Sequence, residues 1–117
     1  MEKNGCIFCK IINGEIDGER VYEDDNFLGI LDANPRAEGH TLIIPKKHFR
    51  NLLDMPTSMG NELLEAIKKV SLKLIEEGKG EGVNVFSNNE EVAGQLVMHT
   101  HVHIIPRKKD DNLKDLI

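Results

Sequence analysis

Residues 94–106 read GQLVMHTHVHIIP, and three of the chain's five histidines stand in this stretch at every second position, 99, 101 and 103. A period of two is the period of a strand. Read as a strand over 95–106, the stretch sends His99, His101 and His103 to one face and Thr100, Val102 and Ile104 to the other. Same-face neighbours then stand ~7 Å apart. Three uses are open to such a row: histidines satisfied within a core, metal ligands, or catalysis at phosphorus. A straight strand spaces its neighbours too widely for all three to share one small ion, so one or two at most would serve a metal. Imidazole is a good nucleophile toward a phosphoryl group, and an ordinary pKa near ~6.5 leaves it mostly unprotonated at neutral pH. A neighbour donating an N–H would stabilise charge on the phosphate oxygens.

The segments around this strand set the fold class. CIFCKIING opens the chain's periodic part, with Ile7, Phe8, Ile11 and Ile12 on one helical stripe and Gly14 as its stop. RVYED and FLGILD read as two strands across an acidic turn at Asp24–Asn26, NPRAEGH as a loop, and HTLIIP as a third strand. A long helix opens between Pro56 and Asn61. Leu63, Ile67, Val70 and Leu74 form its apolar stripe and Gly78 ends it. GVNVFSN is a fourth strand, and the polar loop NEEVAG leads into the fifth. The order β-β-β-α-β-β predicts an α+β fold: a five-stranded, mainly antiparallel sheet with one long helix and a short N-terminal helix. Strands apolar on both faces leave such a sheet little free surface.

The 117 residues are read as one domain, 1–117. With no Trp and one Tyr, the core is aliphatic, helped by Phe8, Phe27, Phe49 and Phe86. A net charge of −5 speaks against a nucleic-acid partner, and the pairs and triplets at Lys46–Lys47 and Arg107–Lys109 do not reverse it. No apolar run reaches the ~18 residues of a membrane span, and MEKNGC is no signal peptide. The expected location is therefore cytoplasmic, where thiols stay reduced. Cys6 and Cys9, three apart on a helical turn, can point at one object. They are free, redox-active or metal-bound. A thioredoxin-like motif would need a preceding strand, and five residues cannot hold one. A zinc half-site would need two further ligands.

HTHVHII fits the alternating signature of the histidine triad (HIT) superfamily, with Thr100 at a position usually apolar. CIFCKIINGEI, VYEDDNFLGILDANPRAEGHTLIIPKKH, NVFSNNEEVAGQ and HIIPR also resemble the histidine triad nucleotide-binding protein branch, in order and spacing, from Cys6 to Arg107. The resemblance implies a hydrolase or transferase of purine nucleoside monophosphates, phosphoramidase-type and homodimeric, with no organic cofactor. His101 would attack the α-phosphorus to give a nucleotidyl-histidine that water releases, and His103 would contact a phosphate oxygen. The nucleophile's second nitrogen would be held by the carbonyl of His99. Asn88, Gly94 and Gln95 would meet the phosphate, with Glu90 and Glu91 turned outward. Asp32 would accept the ribose hydroxyls. Ile7, Phe8, Ile11, Ile30 and Leu42 would line the base.

Leu96 departs from the pattern, since similar proteins carry Ser or Thr after the Gly-Gln pair. A lost hydroxyl donor costs ~100-fold or more if it acts in the transition state. Leu96 can offer only its backbone N–H. Several bacterial members that resemble this chain bind zinc, and the carried-over ligands are Cys6, Cys9, His48 and His99, a Cys2His2 set typical of a structural site. The three histidines need not then do one job. His40 has no identified partner and is read as a residue behind the site. Two other classes of function stand beside the enzyme: a nucleotide-binding module with little turnover, and a zinc-stabilised scaffold.

Overall fold

The computed structural model describes residues 5–113; the first and last four residues of the expected single domain lie outside them. Five strands form one antiparallel sheet in the order β1-β2-β3-β5-β4. They are β1 Arg20–Glu23, β2 Phe27–Leu31, β3 Thr41–Pro45, β4 Gly82–Phe86 and β5 Val102–Arg107. The two helices are α1 Ile7–Ile12 and α2 Gly60–Glu76, the latter entered through a 3-10 turn at Thr57–Met59. Both the fold class and the order of elements agree with the sequence reading. Among the described residues no helix is long and apolar enough to cross a membrane.

The central strands β2 and β3 are buried along almost their whole length because each face carries its own cover. On one face α2 lays Ala66, Val70 and Leu74 against Phe27, Ile43, Val102 and Ile104, with Leu63 and Ile67 at the margin. On the other, α1 brings Phe8, Cys9 and Ile11 onto Leu28, Ile30, Leu42 and Ile44. Each large side chain so buried contributes roughly 1.5–3 kcal/mol. The α1 stripe differs from expectation at one residue: Ile7 is 45% exposed. Six helical residues present a narrow face, and Phe8, Cys9 and Ile11 fill it.

The fifth strand is shorter than its alternating sequence predicts. It begins at Val102, not at residue 95, so His99 and His101 precede it. The ladder with β3 pairs Thr41 with Ile104, Leu42 with His103 and Ile43 with Val102, and goes no further. Beyond it the bonds go elsewhere: the Thr100 N–H donates to the Phe49 carbonyl at 2.8 Å, and the His99 ring takes the Pro45 carbonyl. The chain bends through Val97–His99 and reaches the strand unpaired. Gly39, with φ of +94°, closes the loop ahead of β3. A Cβ there would stand 2.8 Å from Leu74 Cδ2, so glycine is required twice over, by conformation and by space.

Candidate active site and metal cluster

Two carbonyls and one amide set the tautomers of the four histidines that meet on the α1 face. His101 Nδ1 donates to the His99 carbonyl at 2.8 Å, the bond the resemblance implied, so its Nε2 carries a lone pair. The opposite holds at His103. The Arg36 backbone N–H donates to His40 Nδ1 at 3.1 Å, which puts the His40 proton on Nε2. His40 Nε2 is 3.0 Å from His103 Nδ1 and 3.4 Å from Asp32 Oδ2. His103 Nδ1 therefore accepts and its Nε2–H is the donor. The rings of His101 and His103 stand 5.1 Å apart, one offering a lone pair and the other an N–H. Burial pushes His103 down to about 4, aided by the neighbouring His101 and His40, and lowers His40 against the pull of Asp32. His103 and His40 are neutral at pH 7.

His99 faces away from this pair. Its Nε2–H donates to the Pro45 carbonyl at 2.8 Å, leaving Nδ1 free to ligate. Cys6 Sγ lies 3.3 Å from that Nδ1, Cys9 Sγ 3.6 Å and His48 Nδ1 3.1 Å, with Cys9 Sγ to His48 Nδ1 at 3.5 Å. A tetrahedral zinc with ordinary bond lengths needs N···N of ~3.3 Å and N···S of ~3.6 Å. The four donors fit that ion without rearrangement, and a carbonyl behind a ligating imidazole is the usual outer partner. Burial holds His99 down to about 4 and raises the Cys6 thiol. Asp32, His40 and His103 also lie close enough for a cation. There, however, the Arg36 N–H occupies the lone pair of His40 Nδ1, which leaves the ring proton on Nε2, the nitrogen that would have to bind. The first group is set for a metal and the second against one.

The loop before the triad is tied down by its own side chains. Gln95 is 1% exposed: its Oε1 accepts from Glu90 N–H and Asn51 Nδ2, and its Nε2 donates to the Arg50 and Val97 carbonyls. It has no side-chain donor left for phosphate. The Gly94 N–H, likewise expected at the phosphate, donates to the Glu91 carbonyl, while the Asn88 amide reaches the Gly94 carbonyl at 3.4 Å. None of the hydrogen bonds among the described residues uses the Leu96 N–H. Glu90 has φ of 82° and ψ of 154°, a region open in practice only to glycine, at a cost of about 1–3 kcal/mol. Its carboxylate takes Arg50 in a fork at 2.9 Å and Asn51 Nδ2 at 2.7 Å, so it is neutralised rather than simply turned outward.

Of the residues expected around a base, Phe8, Ile11, Ile30 and Leu42 come together, with the Phe8 ring edge-on to His99 and to His101 at 5.7 and 5.2 Å. Ile7 does not join them. It lines a cavity of about 650 Å³ with Cys6, His48, Arg50, Leu96 and Met98. Asp32 sits between roles: one oxygen caps the Asn34 N–H and the other faces His40. Sequence reasoning missed what His40 does, although strand alternation from Leu42, which pairs with His103, placed it on the right face. It missed Arg50, Asn51 and Glu90 as one network, and no local motif announces it.

The HIT domain family model matches residues 13–110. The adenosine 5'-monophosphoramidase HNT1 of Candida albicans is 44% identical over 109 residues, covering 90% of this chain and 72% of the relative. The adenylylsulfatase HINT3 of Arabidopsis thaliana is 43% identical over 111 residues, 95% of this chain and 56% of its own length. A zinc-bound histidine triad family protein from Mycobacterium smegmatis superposes with a TM-score of 0.88 at 38% identity, over 93% of this chain and 79% of that one. Read with a triad whose last two rings stand 5.1 Å apart, these matches leave one conclusion: the chain belongs to the histidine triad (HIT) family.

Proposed function

We propose that the protein is a cytoplasmic, single-domain hydrolase or transferase acting on the α-phosphate of a purine nucleoside monophosphate, of the phosphoramidase type. The observation that carries this is the pairing of opposite tautomers at His101 and His103. His101 Nε2 donates its lone pair to phosphorus, the bond from phosphorus to the leaving amine breaks, and the amine takes a proton from solvent as it departs. Water then attacks the same phosphorus and returns a proton to solvent, the P–N bond to His101 breaks, and the nucleoside monophosphate leaves. His103 Nε2–H donates to a phosphate oxygen in both displacements. Asp32 receives the ribose, the Phe8–Ile11 edge receives the base, and the Leu96 N–H takes the place of the missing hydroxyl beside the leaving group.

Zinc is proposed at Cys6, Cys9, His48 and His99; when bound it supplies a fixed tetrahedral tie between α1 and the triad. A homodimer is supported by the open edge of β4, where Val85 is 43% exposed, and by Leu64 and Leu72, exposed on α2 at 57% and 62%. Adenosine 5'-phosphoramidate turnover tests the enzyme reading. His101→Ala is expected to abolish it, and an alkaline quench of wild type, which spares the acid-labile P–N bond, is expected to trap an adenylylated histidine. Turnover that survives the substitution overturns the mechanism. One observation favours a second reading, a binding module: Leu96 is 90% exposed where a hydroxyl would serve the leaving group. Binding of AMP without turnover is its signature.

A further inference from the structure

We infer that Glu90 is a positioning residue for the triad, acting through Gln95; this rests on the function proposed above. All of its polar atoms are engaged. The carboxylate holds Arg50 and Asn51, the N–H donates to Gln95 Oε1 at 2.8 Å, and the carbonyl accepts from Ala93 and Gln95. Gln95 in turn fixes the Val97 carbonyl at 2.9 Å and the Arg50 carbonyl at 2.6 Å. Three residues beyond Val97, the Thr100 N–H and hydroxyl hold the Phe49 carbonyl. The segment 95–101 has no strand partner, so these bonds replace a ladder in delivering His99 and His101 to their places.

The backbone of Glu90 makes the inference sharper. An L-residue held at φ of 82° is kept there only by surroundings that over-determine it. Here the carboxylate supplies that hold, from a neighbouring loop 40 residues away in sequence. A glycine would adopt the same backbone freely but would let go of Arg50 and Asn51. The carboxylate and the conformation are thus separable by substitution.

Glu90→Ala, Glu90→Gly and Glu90→Gln separate them experimentally. Each would be measured for folded fraction, AMP affinity, phosphoramidate kcat, and amide exchange over residues 95–100. With Ala, kcat is expected to fall about tenfold or more while AMP affinity moves less than about threefold, the split expected when a catalytic group is misplaced. Gly is expected to keep the thermal midpoint but share the kcat loss, and Gln, which still accepts from Asn51, to recover much of it. Unchanged kcat in Glu90→Ala overturns the inference, as does a parallel fall of kcat and binding with the folded fraction. Should wild type show no turnover, the proposed function fails and amide exchange decides: faster exchange in Ala, restored in Gln, supports positioning, and identical exchange overturns it.

Discussion

His99 does two things with two ends. Its ring closes the cysteine–histidine cluster while its carbonyl holds the N–H of His101 Nδ1, so one buried residue joins the proposed metal ligands to the proposed nucleophile. Cys9→Ser is therefore expected to weaken zinc binding by more than ~100-fold, read by competition with a chromogenic chelator. Unaltered affinity would refute the four-ligand assignment. Cys6 and Cys9 were legible from their spacing as a pair aimed at one object, and the family resemblance named His48 and His99 beside them. The roles of Gln95 and Gly94 were not. An amide side chain and a glycine look like phosphate ligands on paper, and only the partners Asn51, Glu90 and Glu91 show that their donors are spent.

At the level of elements, a period of two identified the strand Val102–Arg107 and overran it, since the chain bends at Val97–His99. The sequence pattern alternates through both stretches, so residues 95–101 and Val102–Arg107 read alike. What separates them is that the ladder with β3 stops at Ile43, and which carbonyls Thr100 and His99 capture, neither of which is local in sequence. The α2 stripe was easier because helix burial follows from spacing alone. Leu74 is 6% exposed, packed under β3 and β5, and touches the bend at Gly39. Leu74→Ala is expected to cost about 2–5 kcal/mol in a urea titration, through lost transfer energy and the cavity left behind. A loss under about 1 kcal/mol would mean that the face is not packed as described.

For the molecule as a whole, the sheet divides labour: α2 stabilises one side and the histidines occupy the other. Burying neutral imidazoles links folding to pH. His103, facing His101, His40, Asp32 and Arg36, titrates near 4 when folded and near ~6.5 when unfolded. Between those values the unfolded chain binds the extra proton, so stability is full above ~6.5 and declines as pH falls toward 4. Thermal midpoints are expected to drop over that window, and His103→Gln to flatten the slope; a flat wild-type profile would contradict it. The short helix α1 carries a further consequence. Phe8 sits between the two thiols on one turn, against both His99 and His101. The wall that would select a purine over a pyrimidine is therefore hung from the same anchor as the metal, and demetallated protein should lose its preference among bases before it loses its grip on phosphate.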